Sequence, residues 1–173
     1  MATAWTAPAV EPADGPLVGD ERAMLQGVLD WHRACLLQAC GGLTGDQLAR
    51  ASVPPSNLTL LGLVRHLRKV ERVWLRVRVG GEDLPALHGF GTGVDVDYEQ
   101  LDPSRAREEH EALVEEWRLA DAAAASVPLD VEVDAKGETL SVRLVYLHLI
   151  GEYARHAGHA DLLRERIDGV TRA

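Results

Sequence analysis

Glu152 and His156 stand one helical turn apart in the stretch Leu147-His-Leu-Ile-Gly-Glu-Tyr-Ala-Arg-His-Ala-Gly-His159, at positions where an amphipathic helix sends apolar side chains into its core. A carboxylate and an imidazole at that spacing reach the same ion. His66 lies in the middle of a second apolar stripe far upstream, and helical bundles build metal sites by such convergence from facing helices. Burying an unpaired carboxylate or imidazole is costly, so each needs a cation, an ion pair or a hydrogen-bond network. A divalent ion compensates all three side chains at once. Two imidazole nitrogens and one carboxylate leave positions open to water or substrate, as in a catalytic zinc, and nickel, iron or manganese accept the same donors. The plainer alternative pairs Glu152 with an arginine and hydrogen-bonds His156 to a backbone or hydroxyl group, or joins the three residues in a metal-free buried network.

The remaining histidines separate by position. His148 and His159 lie on the same side of that helix, roughly 40° and 60° from Glu152 and His156 respectively. Either could replace a ligand, and both fit better as partners of the ligands or as rim groups, His159 being the nearer to a bound molecule. His32 reads as a polar-face helix residue, His110 as a solvated neighbour of Glu109 and Glu111, and His88 as a loop residue.

Four helical segments must position these groups. Met24, Leu25, Val28, Leu29, Trp31, Leu36 and Leu37 recur at helical spacing between Asp20 and Gly41, where Gly41-Gly42 ends the first helix. After Val53-Pro-Pro-Ser56, an N-cap at Ser56 or Asn57 opens a second helix to about Val79, with Leu63, His66, Val70, Val73 and Val77 as its buried stripe. The Gly- and Asp-rich stretch from Gly80 to Asp102 reads as a long crossover or lid loop, a kind of segment that is often functional. Asp102-Pro103-Ser104 starts a third helix to about Ala125, carrying Leu113, Val114, Trp117 and Leu119. Alternation from Val131 to Leu140 predicts a short hairpin turning at Lys136-Gly137. Ser141 then caps a fourth helix to about Asp168, whose inward face holds Val145, Leu149, Glu152, His156, Ala160 and Leu163. The expected fold is an all-α four-helix bundle with a long crossover between helices two and three and a hairpin before helix four.

The whole chain narrows the function classes. At 173 residues it suits one domain, expected over 18–173 behind a flexible N-terminal arm at 1–17. A net charge of -9, with arginines interleaved among acids, argues against a nucleic-acid partner. Cys35 and Cys40 match neither a zinc-finger nor a redox spacing. The N-terminus lacks a cationic start followed by an apolar run, and no segment has the length of a membrane span. A reduced, cytoplasmic protein without a membrane partner is expected.

The blocks Leu60-Leu-Gly-Leu-Val-Arg-His-Leu-Arg-Lys-Val-Glu-Arg-Val-Trp74 and His148 to Gly169 resemble the DinB-like superfamily, in particular an actinobacterial branch. The resemblance extends over about residues 20 to 169. It implies a four-helix bundle with a metal held by one histidine of the second helix and two ligands of the fourth. Most members carry His-x-x-x-His there, whereas the mycothiol-dependent maleylpyruvate isomerase type carries Glu-x-x-x-His, the pattern of Glu152 and His156. The implied ligands are therefore His66, Glu152 and His156. Members with known activity include thiol S-transferases that use mycothiol or bacillithiol, which implies mycothiol as cosubstrate and a small electrophile as partner. Arg65, Arg68 and Arg155 flank the ligands and could accept a substrate carboxylate, although arginines are more often surface groups. The competing function classes are a non-catalytic metal-binding or sensing bundle, with acidic helices serving a homodimer, and a metal-dependent hydrolase.

Overall fold

A computed structural model of the chain describes residues 5–87, 96–135 and 137–171. His88, part of the crossover and Lys136 of the hairpin turn lie outside the described residues. Helix α1, Glu21–Cys40, begins where the Asp20 side chain accepts the Ala23 amide. A single turn, α2, Gly45–Leu48, opens on a capping box between Thr44 and Gln47. Helix α3, Leu60–Glu71, is capped by Thr59, whose hydroxyl accepts the Gly62 amide at 2.9 Å. The expected caps differ in role, since Ser56 instead accepts the Leu58 amide in the preceding turn.

Beyond Glu71 the helix continues as a π-helical segment, Arg72–Val79, closed by the Gly80 amide on the Leu75 carbonyl five residues back. This widening changes which side chains face inward. The expected stripe was Leu63, His66, Val70, Val73 and Val77, whereas the buried residues include Leu60, Leu63, Val64, Leu67, Glu71, Leu75 and Val79. Val70, Val73 and Val77 are half-buried. Coverage from two sides, by the later helices, and the wider π turns together account for the difference.

A short helix α4, Val96–Glu99, lies within the crossover and packs on α3. A 3-10 turn, Pro103–Arg105, leads into α5, Ala106–Ala124. Strands β1, Glu132–Ala135, and β2, Glu138–Ser141, form the antiparallel hairpin with Val133 opposite Leu140. Helix α6, Val142–Asp168, starts at the Ser141 cap and ends at Gly169, which takes the left-handed conformation.

Four long helical segments thus enclose one apolar core, with α1 against α6 and α3 with its π extension against α5. Leu29 and Leu36, Leu63 and Leu67, Leu113, and Leu149 and Tyr153 meet there. Charge also binds the α3–α5 seam. Glu116, buried on α5, receives Arg72 at 2.7 Å and Arg76 at 2.8 Å. Within the stretch expected as an arm, the Ala7 amide donates to Leu43 and its carbonyl accepts from Gly42, so this part is pinned to the body. No helix among the described residues is long and apolar enough to cross a membrane.

Candidate metal centre

The α3 and α6 helices bring the three sequence-selected residues together. One nitrogen from each of His66 and His156 and a carboxylate oxygen of Glu152 all lie within 4.8 Å of one another. Donors around a tetrahedral ion with bonds of about 2.1 Å sit about 3.4 Å apart, so the trio needs only a small inward adjustment to reach that spacing. His156 Nε2 is already 3.4 Å from Glu152 Oε2. The His66 and His156 rings stand 4.9 Å apart at 65°, an edge-on arrangement. Side-chain exposures of 24% for His66, 12% for His156 and 28% for Glu152 leave the centre open to a small molecule.

Neighbouring groups select the nitrogens. His66 Nδ1 lies 3.3 Å from Asp97 Oδ2, which also accepts Lys69 Nζ. His66 is left with Nε2 for a ligand. His156 Nδ1 meets His159 Nδ1 at 3.3 Å, so one ring must donate and the other accept. Burial above all, and then the nearby His66, push the His156 imidazole down to about 4 against the opposing pull of Glu152. His156 is therefore neutral near pH 7, the form with a lone pair to donate. Burial works to raise the Asp97 carboxyl, but hydrogen bonds from His66 and Lys69 outweigh it and hold the group below the usual carboxylate range. The donor set, one carboxylate and two imidazoles, fits a divalent transition metal.

The other sequence-selected residues take different places. His148 Nε2 is 3.9 Å from Glu152 Oε1, and its ring lies 4.3 Å from Trp74, which in turn underlies the Arg78 guanidinium at 4.0 Å. His148 and His159 are thus direct neighbours of the trio. Arg65 and Arg68 turn to α5, where they approach Glu109 at 3.7 and 3.4 Å, and Arg155 is exposed. His110 differs from its expected solvated position. It is buried beside Trp5, 5.9 Å away, and burial lowers its pKa. The N-terminal stretch supplies the cover that a reading confined to local charge could not foresee. Asp97 and Lys69 were not singled out by the sequence. Their only signal was the acidic, functional-looking loop in which Asp97 falls.

Two hollows border the site. One of about 150 Å³ is lined by Val53, Leu58, His159, Leu162 and Leu163. Another of about 240 Å³ lies beside Lys69, with Val73, Val77, Leu84 and Leu87 on its walls. None of the trio lines either hollow, nor the larger cavity of about 540 Å³ between α1 and α6, which Ala154, Ala157 and Gly158 border. The two smaller hollows reach the site through neighbours of the trio, His159 beside His156 and Lys69 on the Asp97 carboxylate that faces His66.

A family model for mycothiol-S-transferase matches residues 24–169, a span that includes the trio and Asp97. No curated protein and no solved structure matches the chain.

Proposed function

The chain belongs to the mycothiol-S-transferase family, and from that premise we propose a metal-dependent enzyme that activates a low-molecular-weight thiol, mycothiol in the first instance, for S-transfer to an electrophile. The observation that carries this reading is the gathering of His66, Glu152 and His156 within 4.8 Å at a partly open centre. Zinc is the first candidate for the ion, and the donor set also suits nickel, iron or manganese. A divalent ion held there would make a thiol ionise at neutral pH, and the thiolate is the reactive nucleophile.

The chain's own residues supply the rest. Glu152 would offset the charge of a bound ion, and neutral His156 would donate its lone pair without first losing a proton at pH 7. His148 and His159 stand next to the ligands and are placed to take the thiol proton. The S–H bond would break with its proton passing to one of these imidazoles or to water, and as the S–C bond forms, the electrophile's carbon would release a leaving group with its electron pair, or open a π bond or strained ring whose electron pair takes up that proton. The flanking hollows offer apolar surface to the body of the electrophile. Partial exposure of all three donors favours this reading over a closed structural site, whose ligands would fill the shell.

Elemental analysis followed by a thiol-consumption assay tests the proposal. Purified wild-type protein should hold about one divalent ion per chain and consume mycothiol with members of an electrophile panel, and His66→Ala should lose both properties. Intact protein that binds no divalent metal would sink the reading. Metal binding without thiol consumption across the panel would turn it toward hydrolysis or sensing.

A further inference from the structure

We propose that the short α4 turn is a clip that presets His66, with Asp97 fixing the ring proton on Nδ1 and so keeping Nε2 available to the metal. The inference rests on the metal reading above. It starts from a carboxylate in an unusual place: Asp97 is 0% exposed, although it belongs to a four-residue helix in the crossover. Its Oδ2 takes both His66 Nδ1 and Lys69 Nζ, while Oδ1 is buried with no hydrogen-bond partner among the described residues. A carboxylate buried at this cost and aimed at one ring nitrogen determines which nitrogen carries the proton. Lys69, one turn beyond His66, balances the anion.

Tyr98 seats the same turn. Its ring centroid is 5.9 Å from that of His66 at a 30° tilt. The notch beneath it exists because residue 62 has no side chain: a Cβ on Gly62 would fall 2.4 Å from Tyr98 Cδ1. Gly62 lies one turn before His66, so a single stretch of α3 provides the seat for Tyr98, the ring held by Asp97 and the balancing lysine. Asp97 is accordingly a positioning residue for a metal ligand.

The experiment uses the full chain in two states. In metal-free protein, long-range proton–nitrogen correlation spectra should show His66 protonated on Nδ1, and Asp97→Ala should move the proton toward Nε2. Zinc affinity, read by competition with a chromogenic chelator, should fall about 10- to 100-fold in Asp97→Ala. Asp97→Asn retains an acceptor, and should keep the tautomer with a smaller loss of affinity. Gly62→Ala alters neither ligand nor carboxylate, yet by displacing Tyr98 it should weaken zinc binding in the same direction. Far-UV circular dichroism and the melting temperature of each metal-free variant establish that the fold is retained.

An unchanged His66 tautomer in folded Asp97→Ala would overturn the clip. So would zinc affinities within about twofold of wild type, or losses that merely follow unfolding. Wild-type protein that binds no zinc or other divalent ion would remove the metal reading and the clip together. Wild-type binding combined with unaffected Asp97 variants would remove the clip alone.

Discussion

Arg33 and Glu71 form a two-pronged ion pair inside the core, Nε to Oε1 at 2.8 Å and Nη2 to Oε2 at 2.9 Å, joining α1 to α3. The side chains are 3% and 0% exposed, so neither charge has water to fall back on. Arg33 also reaches Asp30 and Asp121, but both of those are exposed enough to be partly hydrated. Glu71→Ala should therefore destabilise the protein by about 3–5 kcal/mol, because it leaves the guanidinium buried without its main counter-charge. Chemical denaturation measures the loss. A change under about 1 kcal/mol would mean that Asp30 and Asp121 suffice to compensate Arg33.

The low pKa of His156 gives the metal-free protein a defined acid response. Folding holds the group at about 4, below its ordinary value of 6.5, so between those values the unfolded chain binds more protons than the folded one. Stability must then be fully present above about 6.5 and decline as pH falls toward about 4. Denaturant midpoints at pH 7 and pH 5 should show the decline, and His156→Gln should reduce its slope. Equal slopes in the two proteins would assign the acid response to other groups. The sign concerns metal-free protein, since an ion on His156 would add competition with protons.

These relationships were unequally legible in the sequence. Glu152 and His156 announced themselves because polar groups at helical spacing interrupt an apolar face, and the same periodicity exposed His66 as an exception in α3. The helices α1, α5 and α6 were readable for the same reason, with boundaries marked by Asp20, Asp102-Pro103, Ser141 and Gly169. Glu71 escaped notice because its partner Arg33 is on another helix, and nothing local tells a buried glutamate from a solvated one. Asp97 escaped because a four-residue turn has no period. The π segment falsified the inward placement of Val73 and Val77, since a change in helical bonding rotates every later side chain.

Contact between the N-terminal stretch and α1 depends on two glycines. A Cβ at Gly27 would stand 2.8 Å from Gly15 Cα and 3.0 Å from Pro16 Cδ. Gly27→Ala should therefore push the 14–17 stretch off α1, while the helix itself gains up to about 1 kcal/mol from the better helix former. Digestion by thermolysin within the first 17 residues should accelerate, with the global denaturation midpoint unchanged or raised. An unaltered digestion rate would show that this contact does not hold the stretch in place.

His148 and His159 neighbour the proposed ligands without joining the cluster formed by His66, Glu152 and His156. His148 packs on Trp74 with its Nε2 3.9 Å from Glu152 Oε1, while His159 Nδ1 meets His156 Nδ1 at 3.3 Å. If those are supporting positions, His148→Ala and His159→Ala should each retain one zinc per chain, with affinity lowered by about 10- to 100-fold at most. Glu152→Ala and His156→Ala should instead lose stoichiometric metal under the same conditions, because each removes a donor. Inductively coupled plasma analysis after gel filtration reads the stoichiometry, and chelator competition reads the affinity. Complete metal loss in His159→Ala together with retention in Glu152→Ala would exchange their roles, giving a shell of three imidazoles with the carboxylate beside it.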